Sequence, residues 1–178
     1  MVRTHDADGA AQAARHLASL GHTRIAHVHG PKSFQSAHQR LAGFMAGLSE
    51  FGLELDPALT IEAGYTFDSG VRAADNLLSR ASRPTAIFAG NDEMAIGIYT
   101  SARKLGLSIP GDLSIVGFDD TPMAARIAPA LTTVRLPIRD MGEEAAKALL
   151  MLIQGTEVPE NKSFNPESIV RESSRWIA

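Results

Sequence analysis

Cysteine is absent from all 178 residues, which excludes a disulfide framework and any thiolate metal site. A basic excess is missing as well. There are 17 Lys and Arg against 20 Asp and Glu, for a net charge of -3 and a pI near 6.1. With no long Lys/Arg run, the chain has no field to hold nucleic acid, so DNA binding by this chain alone is not expected. No apolar run is long enough to span a bilayer, and no charged segment leads into an apolar signal-like stretch at the start. The expectation is a cytoplasmic chain with no membrane partner. Also missing are a G-x-G-x-x-G fingerprint, a P-loop and a G-x-S-x-G nucleophile elbow; Gly64-Tyr65-Thr66 does not qualify. What remains is 44% hydrophobic and 21% charged, ordinary for a globular protein and enough for one good core and part of a second.

The most readable stretch runs from Pro84 to Asp120. Thr85-Ala86-Ile87-Phe88-Ala89 is short, apolar and β-leaning, as a strand buried on both faces of a parallel sheet should be. Gly90 ends it, and Asn91 is a good N-cap with Asp92 and Glu93 placing negative charge at the helix start. Met94, Ile98 and Leu105 keep helical spacing beside the small Ala95 and Ala102, and Gly106 supplies the stop. Leu113 to Phe118 then makes a second buried strand that exits at Asp119-Asp120-Thr121-Pro122. Ligands of open α/β sheets bind beyond the carboxyl ends of the strands, where Asn91 and Asp119 stand. The plain alternative is that Asn91 only caps a helix and Asp119 only forms a turn.

Around this βαβ unit the alternation continues. Val2 to His5 reads as a strand remnant, and Asp6 and Asp8 are alternative caps for a helix carrying Ala14, Leu17 and Leu20 and ended by Gly21. Arg24 to His29 is a strand. A helix from Ser36 toward Phe51-Gly52 places Leu41, Phe44, Met45 and Leu48 on its core face, with Arg40 in its first turns. Leu59-Thr60-Ile61 is a short strand, and Gly64-Tyr65-Thr66 leads into a helix from Asp68 to Arg80 with Val71, Ala74, Leu77 and Leu78 inward. Met123 to Ile127 is expected to form a short helix, Leu131 to Leu136 a strand, and Asp140 to Gln154 a helix with Met141, Ala145, Ala148, Leu149 and Leu152 inward. Ser168 to Glu172 is expected to be an edge strand.

His27 and His29 face one side of their strand, but no third ligand of suitable type is apparent, so no metal site is expected. Asp119 and Asp120 could be imagined as an acid/base pair. Neighbours at a strand exit point apart, however, and no nucleophile converges on them, so enzymatic activity is not expected.

NDEMAIG, SIPGDLSIVGFDD and PALTTVRLP, in this order, closely resemble the effector-binding core of the lactose- and galactose-repressor family of bacterial transcription regulators. The resemblance runs from DADGAAQAARHLASLGHTRIAHVHGP to the terminal VRESS. It implies a periplasmic-binding-protein-like α/β fold, a Rossmann-like parallel sheet flanked by helices, with the first of two lobes largely missing. The boundaries it implies are 1–21 for a first-lobe remnant, 22–130 for the second lobe, 131–162 for a crossover strand and helix belonging to the first lobe, and 163–178 for the return strand of the second lobe.

For function, the resemblance implies a ligand-binding set of Arg40, Tyr65, Asn91 and Asp119, with no catalytic residue, cofactor or metal. The R-L-x-G-F signature puts Arg40 in the effector cleft, where its planar fork of donors can grip hydroxyls, a carboxylate or a phosphate. Tyr65 either stacks on a ring ligand or merely covers the strand edge. Where the family usually has Asp-Asn, His5-Asp6 stands here. The partners implied are a small effector, a sugar or related metabolite, and a second copy of the chain as homodimer. DNA would be reached only through a helix-turn-helix headpiece outside this sequence. The alternatives are a periplasmic-type sugar-binding protein or a natural truncated partner subunit. With first-lobe strands missing, the helices near Ala14 and from Asp140 are expected to leave apolar faces open, the chain to self-associate through them, and effector binding to be weak.

Overall fold

The computed structural model describes residues 2–158 and 162–177. In order the elements are β1 (Val2–Thr4), α1 (Asp6–Ser19), β2 (Ile25–His29), α2 (Gln35–Ser49), a 3-10 turn (Pro57–Leu59), β3 (Thr60–Glu62), α3 (Phe67–Leu78), β4 (Ala86–Ala89), α4 (Asp92–Lys104), β5 (Ser114–Val116), β6 (Thr133–Arg135), α5 (Ile138–Ile153), β7 (Lys162–Phe164) and β8 (Glu167–Ile169). Residues 159–161 of the expected crossover segment, and both chain ends of the expected boundaries, lie outside the described residues.

The central sheet is parallel in the order β3-β2-β4-β5. After β2 the chain adds β3 on one side and then crosses to place β4 on the other. The switch point therefore lies between β2 and β4, where such sheets open a crevice beyond their carboxyl ends. Every residue of β2, β4 and β5 is buried, as in strands covered on both faces; β4 is apolar throughout, while β2 carries His27 and His29 and β5 begins with Ser114. Helices α1 and α2 cover one face over Phe44, Leu48, Phe88, Val116 and Phe118. The other face is covered by α3 and α4, over Leu77, Ile87, Met94, Ile98 and Ile115.

Glycine sets the distance within each helix pair. A Cβ on Gly43 would stand 2.0 Å from the Ala7 carbonyl oxygen, and one on Gly70 would stand 2.3 Å from that of Met94. Backbones this close leave room for no side chain, so α1 and α2, like α3 and α4, meet almost backbone to backbone. Helix starts are also written locally: Asn91 caps α4 by accepting from the Met94 N–H, and Thr66 with Ser69 forms a capping box on α3. Gly106 takes the left-handed φ of 73° that ends α4.

Several expectations are corrected. Residues Met123 to Ile127 form turns, not a helix, with Ala124 buried and Met123 exposed. Met45 and Leu105 are exposed: Leu105 follows α4 as its cap, and Gly43 and Gly47 take the core position on α2 that Met45 was expected to share. Helix α1 does not leave its apolar face open. Ala10, Ala13, Ala14 and Leu17 are buried with Phe44 and Phe88, so α1 packs with the central sheet while only β1, pairing with β7, stands aside from it. Strand β6 likewise stays with the central body, pairing with β8 and bridging to Val116 through Thr132. Helix α5 has the open face that was expected, in place of the inward packing its spacing implied. It has no buried residue, and Leu149 and Leu152 are 59% and 64% exposed.

Candidate functional site

The carboxyl ends of β2, β4 and β5 meet at Arg40, carried there by the second turn of α2. The residue is 7% exposed. Nε donates to Asp6 Oδ1 at 2.7 Å, one terminal N–H donates to the Gly90 carbonyl at 2.5 Å, and the other terminal nitrogen stands 3.5 Å from Asp119 Oδ1. The Phe118 ring lies beneath it at 3.8 Å, and the Tyr65 ring is 6.0 Å away. A planar cation seated on an aromatic face and paired through several N–H groups is held in one orientation.

The other expected residues converge on the same place. Asn91 accepts from the Met94 N–H at 2.9 Å and donates to the Tyr65 carbonyl at 3.0 Å, so the cap also ties the β3–α3 loop to the end of β4. One N–H and one lone pair of its carboxamide remain for another partner. Tyr65 sits at φ 60°, and its ring fills the space where a side chain on Gly30 would be. Phe34 meets that ring edge-on at 5.8 Å. Among the described residues the buried Tyr65 hydroxyl has no hydrogen-bond partner. Asp119, a third exposed, makes no hydrogen bond through its carboxylate among the described residues, and burial pushes its carboxyl up to about 6, against the pull of Arg40 and with the push of Asp92 and Asp6.

Asp6 and Asp120 have roles that sequence reasoning missed. Asp6 was expected, as an alternative to Asp8, to cap α1; among the described residues no side chain caps that helix, and Asp6 instead pairs with Arg40 and accepts from Thr4. The signal was there in its place at a strand exit, as with Asp119. Asp120 turns away from Asp119 and takes Arg135 at 2.7 Å and Arg171 at 2.6 Å. Burial opposes its ionisation, yet the two arginines outweigh that and hold the carboxyl below its ordinary value. Asp92, fully buried, accepts from Thr133 Oγ1 at 2.5 Å and the Thr121 N–H at 2.7 Å, tying α4 to the β5 exit and to β6; burial raises its carboxyl despite those bonds.

The histidine pair of β2 does something else. His27 is fully buried, stacked on Phe88 at 4.7 Å, and donates to the Phe88 carbonyl; burial depresses it to about 3, so the ring is neutral. Among the described residues no group of three or more His, Cys, Asp or Glu is placed to hold a metal ion.

Residues 14–174 match the family profile described as a periplasmic binding protein-like domain. The HTH-type transcriptional regulator DegA of Bacillus subtilis is 41% identical over 175 residues, which is 98% of this chain and 52% of the regulator. The transcriptional regulator CelR in complex with cellobiose superimposes with a TM-score of 0.92 at 35% identity, over 97% of this chain and 53% of that one. A LacI family regulator from Enterococcus faecium with bound ribose gives a TM-score of 0.89 at 35% identity, over 99% and 66%. The chain spans about half the length of the curated relatives it matches. By its sheet and these likenesses, the chain belongs to the periplasmic-binding-protein-like domain family, and it is similar to the corresponding half of LacI-family transcription regulators.

Proposed function

We propose that this chain is the effector-binding part of a bacterial transcription regulator, and that its cleft takes a neutral, polyhydroxylated ring such as a sugar. The observation that carries the reading is the pairing, at the carboxyl end of the sheet, of an oriented guanidinium with a carboxylate that makes no hydrogen bond among the described residues: Arg40 offers N–H groups and Asp119 accepts, 3.5 Å apart. A hydroxyl can accept from one and donate to the other, and adjacent hydroxyls of a ring repeat that pattern at the right spacing. Asn91 adds one donor, and Tyr65 an amphipathic wall. Cellobiose and ribose stand in the structures of two similar regulators, which supports a sugar here.

In the regulator, ligand binding would act by favouring one arrangement of the two lobes over another, and only as far as its affinities for the two differ. With a net charge of -3 this chain lends no field for DNA, so operator contact would fall to a headpiece outside it. Such a regulator works in the cytoplasm, and among the described residues no helix is long and apolar enough to cross a membrane. Pairing of two copies is part of the same reading.

Saturation-transfer NMR of the chain against a panel of neutral mono- and disaccharides, ribose and cellobiose included, tests this. At least one sugar is expected to give a signal that Arg40→Met abolishes while the far-UV spectrum stays native. Absence of any signal across the panel, or signals that survive Arg40→Met, would overturn the proposal.

A further inference from the structure

Two residues in succession, Asp119 at φ 113° and Asp120 at φ 56°, occupy the left-handed half of backbone space, which side-chain-bearing residues avoid. Glycine would sit there without strain, so the turn must be held by what surrounds it. The Asp119 N–H donates to the Val134 carbonyl at 2.8 Å, which pins the strand exit to β6. Asp120 then reaches in two directions. Arg135 comes from the end of β6, and Arg171 from the segment after β8, where it also donates to the Leu131 carbonyl at 2.8 Å. On the far side Asp92 holds the Thr121 N–H. The side chains of both flanking carboxylates are committed to the turn, while the Asp119 carboxylate stands 3.5 Å from Arg40.

We propose that Asp120 is a positioning residue for the cleft: bracketed by Arg135 and Arg171, it holds the strand exit in the turn that aims the Asp119 carboxylate at Arg40. This rests on the reading of the cleft as a ligand site, where Asp119 is the acceptor. Asp120 touches no ligand and acts only through its neighbour. Arg171 is the stronger arm, being the more deeply buried of the two and anchored at both of its terminal nitrogens.

The test is a titration of the side-chain carboxyls by carbon-detected NMR on the whole chain with no ligand present. Asp119 is identified by the resonance lost in Asp119→Asn. The groups that face it are Arg40 from α2, Asp92 from α4 and Asp6 from α1. In the native chain the midpoint is expected near 6. Arg171→Met separates position from charge, because deleting a positive charge by itself raises a nearby carboxyl, whereas freeing Asp119 to swing into water lowers it. The expected result is a fall to below about pH 5, toward the usual aspartate range, with Arg171→Lys restoring the native midpoint. A midpoint unchanged or raised in Arg171→Met overturns the proposal. If that variant does not fold, Arg135→Met, at a half-exposed arm, carries the same test of sign. The titration is read with the cleft empty, so its outcome stands or falls independently of which ligand the cleft binds.

Discussion

Removing the Asp6 carboxylate should cost the fold about 3 kcal/mol, because it strips a buried cation of its nearest anionic partner. Asp6 and Arg40 are 6% and 7% exposed, and their contact is 2.7 Å. Breaking a buried pair from one side typically costs about 3–5 kcal/mol. The lower end applies here, since in Asp6→Ala the guanidinium keeps the Gly90 carbonyl, the Phe118 face and Asp119 at 3.5 Å. For a chain of this size that is a fall of roughly 6–12 °C in Tm. Urea and thermal unfolding followed by circular dichroism would measure it, with the fluorescence of Trp176, the sole tryptophan, as a second probe that tests for two-state behaviour. The cost comes from the orphaned charge more than from the lost contact. Accordingly, the double variant Asp6→Leu with Arg40→Met should be more stable than Asp6→Ala alone. A loss under about 1 kcal/mol in Asp6→Ala, or a double variant less stable than the single, would refute the reasoning.

Three further outcomes follow from the packing and the charges. The Asp119 carboxyl is raised from 3.8 to about 6 in the fold, so between those values the native chain holds a proton that the unfolded chain has released. Its contribution to stability is full below pH 3.8 and lost as the pH rises through about 6; Asp119→Asn should flatten that fall, read as the difference in urea midpoints between variant and parent across the range. Gly43→Ala should destabilise by about 1–3 kcal/mol, because its methyl meets the Ala7 carbonyl oxygen, whereas Gly142→Ala in α5, with nothing near it, should stabilise by up to about 1 kcal/mol; denaturation midpoints decide both. Sedimentation velocity should show concentration-dependent association through α5, and Leu149→Glu with Leu152→Glu should abolish it; identical profiles for the two proteins would assign the association elsewhere.

The sequence was most legible where the local signals agree with the tertiary fold. Asn91, the apolar run before it and Gly106 after it fix β4 and α4 within a residue or two, because cap, strand and stop are each determined by their own neighbours. The resemblance implied Arg40, Tyr65, Asn91 and Asp119 as a ligand-binding set, and the fold draws all four to one end of the sheet. Helical spacing misplaced Met45 for a physical reason. Spacing assumes that the largest apolar side chains face the core, but the contact between α1 and α2 is made by Gly43 and Gly47, which turns the bulkier Met45 outward. The pairing of Asp6 with Arg40 spans 34 residues, and that of Asp120 with Arg171 spans 51. No local pattern encodes which carboxylate at which strand exit meets which arginine; that depends on the order of strands in the sheet.

The charge of the cleft bears on the choice among sugar, sugar acid and phosphate. Arg40 by itself invites an anion, but Asp6 and Asp119 both stand against it, so with every group ionised the cluster carries one negative charge in excess. An incoming carboxylate or phosphate would thus meet Arg40 already neutralised and Asp119 repelling it. At about 5 Å and an effective dielectric of about 20, that repulsion is on the order of 3 kcal/mol, and half of it would still be roughly tenfold in affinity. A neutral hydroxyl carries no such penalty and uses the Asp119 acceptor. At pH 7 a neutral sugar should therefore bind at least about tenfold more tightly than the acid made by oxidising one of its carbons. At pH 5, below the Asp119 midpoint of about 6, Asp119 takes up a proton and the gap should narrow. Isothermal titration of a matched sugar and sugar acid at the two pH values would show this directly. Tighter binding of the acid at pH 7 would mean that charges outside this cluster set the preference, and the case for a neutral effector would fall.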